Sequence, residues 1–244
     1  MLCFTGISAP DAWGSFRPAI VIINSYESSL EWVRSSNRVI VDAFSEDYTI
    51  HIFDMDTKRL PKSMYSEQAD RALAFIQEHK PVLVFLSDDN AMSLLGHTLA
   101  QAGIHTVYYG INNNPRHYLE NDDMKMVTGV LERPLFLRSL VYLSEIMPDM
   151  KKLLVLMDDS TTSRIVLTET FKNRISQHIG EVQVDVLLIS QWDTWQAKVL
   201  DADSYGFDAI IATLMHTIRN GDEQDIVGFD KVARWTSTNS PVPT

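Results

Sequence analysis

Apolar residues in this chain fall into short unbroken runs separated by amphipathic stretches, the pattern of buried parallel strands alternating with helices. Residues 19–24 form the first such run, and residues 48–53, 82–86 and 105–109 the next three. Between them, residues 30–44, 66–79 and 88–101 carry helical spacing, and Ala69, Leu73 and Ile76 share one side of the second of these helices. Gly103 follows the third helix where a chain commonly leaves helical geometry. A turn-rich stretch at 110–115, a polar segment over 116–125 and extended residues 126–130 then mark a boundary.

A second series follows it. A helix after Pro134 leads into strand 153–157, helix 162–178, strand 182–189, helix 192–200, strand 209–214 and a last helix over 223–235. Repeated strand-helix units at this spacing predict an α/β protein of two lobes, 18–126 and 127–244, each a parallel sheet flanked by helices and joined by a hinge at 126–130. Residues 241–244 read as the start of one more strand, so the expectation is a second lobe truncated at its C-terminus.

Composition narrows the function classes. With 45% hydrophobic residues in 244, the chain has material for real cores. A net charge of -11, with no basic run longer than two residues, argues against nucleic acid and anionic membrane surfaces as partners. The one cysteine, Cys3, excludes an internal disulfide and a cysteine-rich metal site. Residues 1–17 are apolar and small, with no Lys or Arg before Arg17, and read as the remnant of an export signal or leader, which places the protein in the periplasm or otherwise outside the cytoplasm. No later stretch approaches the roughly 18 apolar residues of a membrane span.

Five ordered motifs carry a family resemblance: Asn24, Ser25 and Tyr26 with Glu31 and Trp32; residues 54–59; Ser87 to Ala91; Gly110 to Asn113; and Val127 to Val130. On these the chain resembles the ABC-type substrate-binding family of periplasmic proteins that includes tryptophan/tyrosine-type binding components, over residues 18–244. The resemblance implies a type I periplasmic-binding fold with a small molecule held between two lobes. It also implies a membrane partner, either a transporter permease or a sensor for which the lobes act as input domain.

Candidate ligand residues follow from the strand ends, because open α/β sheets bind ligands beyond the carboxyl ends of their strands. In the first lobe these are Asn24, Ser25, Tyr26, Asp89, Asn90, Ala91, Gly110, Ile111 and Asn112; in the second, Ser160, Thr161, Thr162, Met215 and His216. Each also has an ordinary explanation. Ser, Asp and Asn at 87–90 and 158–163 cap helices, Asn24 and Asn112 suit turns, and His216 alone is an ordinary polar contact. Asp54 and Asp56 beside Lys58 and Arg59 read as a surface ion-pair cluster, and Trp192 and Trp195 as core.

Helix starts after Ser87 and Asp159 favour a carboxylate, while Asp88, Asp89 and Asp158 favour an ammonium group, so the expected ligand is zwitterionic and amino-acid-like or neutral and polar. Catalytic signatures such as a nucleophile elbow, a phosphate loop or a dinucleotide fingerprint are absent, and the seven histidines lack zinc spacing. No catalytic residue, metal ligand or cofactor is expected. The receiver fold, suggested by the acidic pair at 158–159, lacks its later aspartate and lysine, and an α/β enzyme with an unrecognised site is the remaining alternative.

Overall fold

The computed structural model describes residues 17–132, 135–221 and 225–244. The expected leader at 1–17 lies outside these apart from Arg17, whose guanidinium reaches the Ser45 carbonyl.

The first lobe alternates β1 (Ala19–Asn24), α1 (Glu31–Phe44), β2 (Thr49–Asp54), α2 (Tyr65–His79), β3 (Leu83–Ser87), α3 (Asp88–Gln101), β4 (Thr106–Ile111) and β5 (Val127–Leu131). All five strands are parallel, in the order β2-β1-β3-β4-β5. Helices cover both faces, which is why the last five residues of β1 are buried without alternation. Val21, Ile23, Val84 and Leu86 pack against α2 and α3 on one side, and Ile20, Ile22 and Phe85 meet Ile40 and Phe44 of α1 on the other.

The second lobe contains α4 (Phe136–Ile146), β6 (Lys152–Asp158), α5 (Thr161–Glu169), β7 (Ser176–Ile179), β8 (Val182–Ile189), α6 (Trp192–Leu200), β9 (Ala209–Ala212) and α7 (Phe229–Asn239). Its sheet has the order β7-β8-β6-β9. Trp192 and Trp195 are core residues, as their helical spacing suggested; the Trp195 ring N–H donates to Thr236 Oγ1 at 2.8 Å.

Four expectations shift. Helix 162–178 ends at Glu169, because Lys172 and Asn173 both adopt left-handed backbone conformations that stop helical propagation. The chain then returns through β7, which pairs antiparallel with β8 and makes the second sheet mixed at its edge. Residues 127–131 pair with β4 in the first sheet, so this sheet extends past the boundary set at 126, and the chain crosses to the second lobe only after Leu131. Of the helix expected over 223–235, residues 223 and 224 lie outside the described residues and the observed helix starts later, at Phe229. The C-terminal segment runs beside β9, where the Ile210 N–H donates to the Pro243 carbonyl at 2.9 Å.

In both sheets the strand order reverses around a central strand. The switch lies between β1 and β3 in the first lobe and between β6 and β9 in the second, and such points are where α/β sheets open a crevice for ligands.

Candidate functional site

In the first lobe, the loop after β1 is tied down by its own polar groups. Ser25 Oγ donates to the Ser87 carbonyl at 2.6 Å and accepts the Ala91 N–H at 2.8 Å, locking β1 to the start of α3. Asn24 donates to Asp54 at 2.8 Å, and the same carboxylate accepts the Ser28 N–H and hydroxyl. Asp89 accepts the Asn112 and Asn113 N–H groups at 3.0 and 3.1 Å and the Tyr118 hydroxyl at 3.1 Å. These buried groups are consumed in holding the edge.

Asp88 behaves differently. It opens α3 with φ of 66°, a left-handed conformation that costs energy for any residue with a side chain. Burial pushes its carboxyl up to about 7, against the opposing pull of Lys58 and the Ser87 hydroxyl. A strained, buried carboxyl with a raised pKa at a strand end is a recurrent mark of functional sites.

Asp158 ends β6 in the second lobe. One of its oxygens accepts the His216 and Thr217 N–H groups, both at 2.9 Å, and the other accepts the Ser163 hydroxyl at 2.7 Å. Ser160 caps α5 by accepting the Ser163 N–H. The His216 ring stacks on Phe229 at 4.6 Å and meets Trp32 of the first lobe edge-on at 4.8 Å. Burial, reinforced by the charge on Lys58, lowers its pKa to about 4, so the ring is neutral at ordinary pH.

The lobes meet across a divided cleft. Tyr26 Oη lies 3.1 Å from Thr162 Oγ1, a hydroxyl bridge between the loop after β1 and α5. Lys58 Nζ sits 4.3 Å above the Tyr26 ring, in cation-π contact. The residue is only 7% exposed, and among the described residues its ammonium group makes no hydrogen bond and no ion pair. Burial lowers the Lys58 pKa, while Asp158 and Asp88 favour its charged form.

Tyr26, Lys58 and Thr162 form a wall shared by two compartments. The smaller, about 280 Å³, is hydroxyl-rich and cationic, bounded by Thr57, Tyr65 and Asn90 from the first lobe and Ser160, Thr161 and Arg219 from the second. The larger, about 790 Å³, is mainly apolar, with Trp32, Leu131, Phe136, Met157 and Val166 around the carboxyls of Asp88 and Glu132. Cavities of this size accommodate small organic ligands.

Of the residues expected at the site, Tyr26, Asn90, Gly110, Asn112, Ser160, Thr161, Thr162 and His216 line these compartments. Asn24, Ser25, Asp89 and Ala91 stand behind them as buried supports, and Ile111 and Met215 are core side chains. Arg219 carries no signal in the sequence. Lys58, expected with Asp54, Asp56 and Arg59 in a surface ion-pair cluster, is instead buried, and Asp54 bonds Asn24 and Ser28; only Asp56 and Arg59 keep the expected pairing. Asp56 takes a left-handed conformation that turns Thr57 and Lys58 inward, leaving Arg59 outside to pair with Asp56 at 2.9 Å. The available signal is position, since Lys58 follows β2 at the same sheet edge as the other candidate residues.

Among the described residues no cluster of three or more His, Cys, Asp or Glu could hold a metal ion, and no helix is long and apolar enough to cross a membrane.

No protein-family model matches the sequence, and no curated protein matches it. Solved structures do. The chain is similar to an ABC domain in complex with L-Trp from Streptococcus pneumoniae, with 16% identity, a TM-score of 0.62, and coverage of 92% of this chain and 73% of that one. It is also similar to the leucine binding protein LivK from Thermotoga maritima, with 17% identity, a TM-score of 0.50, and coverage of 80% of this chain and 55% of the other. A transcription regulator, CcpA of Lactococcus lactis, matches with 12% identity and a TM-score of 0.54 over 93% of this chain and 74% of that one. The chain thus spans about half the length of LivK and about three quarters of the other two. At these identities the likeness concerns architecture, and with its mainly parallel sheets flanked by helices the chain has the type I periplasmic-binding fold.

Proposed function

We propose that this chain is an extracytoplasmic solute-binding protein that closes its lobes around a small amino-acid-like molecule and delivers it, unaltered, to an ABC-type membrane permease. The observation that carries this reading is Lys58, a buried ammonium without a hydrogen-bonding or ion-pairing partner among the described residues, set in the wall of a cleft lined from both lobes. A buried charge left in this state destabilises the protein, and an anionic ligand group arriving between the lobes would offset that cost.

The arrangement of charge supports a ligand with both signs. Cationic Lys58 and Arg219 border the smaller compartment together with Asp159, and the carboxyls of Asp88 and Glu132 line the larger one, which Lys58 also reaches. The fold neighbours include proteins described as complexed with L-Trp or as binding leucine, and others described as extracellular ligand-binding receptors. Closure by movement of one lobe against the other, with ligand contacts favouring the closed population, is the mechanism that fits a cleft lined from two sheets. The same closure can inform a membrane sensor, and reconstitution with a permease separates delivery from signalling.

The test is a thermal-shift survey of the common amino acids. A ligand present at about one hundred times its dissociation constant adds about 2.7 kcal/mol to the native state and raises the melting temperature. The ligand should be recovered unchanged after prolonged incubation. Consumption of the best binder would instead favour an enzyme.

A further inference from the structure

The smaller compartment contains polar atoms that the protein itself leaves unmatched. Among the described residues Arg219 Nη1 is buried and has no hydrogen-bond partner, and neither has Asp159 Oδ1, whose companion oxygen is engaged by Arg164 at 2.7 Å. Lys58 adds a third unmatched group, more than nine-tenths buried, and all three residues line the same 280 Å³ space. Unsatisfied buried polar atoms are scarce in native proteins, so Arg219 Nη1 and Asp159 Oδ1, beside the unpaired Lys58, describe the complement of what the cavity receives. Here the unmatched groups are two cations and one carboxylate oxygen.

Resting on the solute-binding reading above, we propose that this compartment is the head-group site for an α-amino acid, with Lys58 and Arg219 receiving the carboxylate and Asp159 receiving the ammonium. The first turn of α5, formed by Thr161 and Thr162, lies along the same compartment and offers N–H groups that a helix leaves without internal partners, reinforcing the carboxylate end. The rest of the ligand follows the shared wall at Tyr26 and Thr162 toward the apolar compartment, where Trp32, Phe136 and Val166 meet its side chain. This assignment separates the two charged ends of the ligand onto different residues. It also moves the ammonium away from Asp89, whose oxygens are already occupied by backbone N–H groups.

Calorimetric titration with matched triplets tests the assignment. One triplet is tryptophan, indolepropionate and tryptamine; the other is leucine, isocaproate and isoamylamine. Each set presents both charged groups, the carboxylate alone, or the amine alone on a nearly constant body. Lys58→Met and Arg219→Gln should each weaken the amino acid and the deaminated acid by about 10- to 100-fold, as expected for a charged hydrogen bond, while changing the amine by less than about threefold. Asp159→Asn should do the reverse, weakening the amino acid and the amine while sparing the deaminated acid. Unfolding midpoints of the three variants check that the fold is intact.

If the variants weaken all three members of a triplet alike, or if Asp159→Asn penalises the deaminated acid as much as the amino acid, the head-group assignment falls while the solute-binding reading stands. If the unmodified chain binds no member of either triplet and no common amino acid, both fall together.

Discussion

Asp89 and Asp158 occupy matching places in opposite lobes, and each carboxylate accepts two consecutive backbone N–H groups from the loop after the neighbouring strand. Asp89, beyond β3, holds Asn112 and Asn113 after β4; Asp158, at the end of β6, holds His216 and Thr217 after β9. The two sheets thus fix the rim of the cleft by the same device. A carboxylate suits this work because it accepts at both oxygens and is compatible with several N–H donors at once.

This arrangement predicts that Asp89→Asn and Asp158→Asn act on stability. An amide turns one acceptor into a donor facing other donors, leaving buried groups unsatisfied at a cost of about 2–4 kcal/mol. Urea unfolding should show lower midpoints with unchanged slopes. Native stability in Asp158→Asn combined with lost ligand binding would assign that carboxylate to the ligand instead.

Gly129 predicts a second, sharper loss. It pairs with Tyr108 across β4 and β5, and a Cβ added there would lie 2.0 Å from the Tyr108 carbonyl oxygen and 2.6 Å from its ring. Backbone cannot yield as a flexible side chain can, so Gly129→Ala should cost roughly 3 kcal/mol or more by forcing β5 away from β4. Hydrogen exchange should show β5 amides losing protection ahead of β1 amides. Uniform protection in the variant would mean that the strands tolerate the displacement.

Legibility in the sequence followed the strength of the physical signal. Strand β1 stands out because its apolar run is uninterrupted and ends at a polar residue, and helix α6 because Trp192, Trp195 and Val199 recur at helical spacing among polar residues. Strand β7 did not, since Ser176 to Ile179 is a half-exposed edge segment with no apolar run, reached through left-handed turn residues that local periodicity does not encode. The site divided similarly. The strand-end rule located the cleft edge, yet it could not distinguish Asn90, which borders a compartment, from Asp89, whose carboxylate is turned into backbone hydrogen bonds. Lys58 reads as a surface ion-pair residue and Arg219 has no distinguishing signal, because the direction of a loop side chain depends on a single backbone conformation and on tertiary packing.

Asp88 predicts a pH-dependent gain of stability on substitution. Its carboxyl has a reference value of 3.8 and is raised to about 7 by burial. Between these values the folded state keeps a proton that the unfolded chain has released, so stability falls as pH rises through the window, and the full penalty is present above it. Asn never ionises and tolerates the left-handed conformation at this position. Asp88→Asn should therefore match the parent near pH 3.5 and exceed it by on the order of 2–4 kcal/mol above pH 7. Chemical unfolding at several pH values checks this, and a gain independent of pH would show that the burial of charge is not its cause.

The bridge between Tyr26 and Thr162 predicts how closure is balanced. Their hydroxyls join the lobes at 3.1 Å in the wall between the two compartments, 136 positions apart in the chain. Tyr26→Phe keeps the ring beneath Lys58 and removes only this hydrogen bond, so the closed form should lose about 0.5–1.5 kcal/mol relative to the open one. Small-angle scattering of the ligand-free variant should report a larger radius of gyration than the parent. Because the closed form makes the ligand contacts from both sides, its reduced population should weaken binding by roughly 2- to 10-fold for every ligand alike, acid, amine or amino acid. A uniform loss with an increased radius identifies the bridge as a determinant of closure, whereas a loss confined to ligands bearing a carboxylate would make the Tyr26 hydroxyl a direct ligand contact.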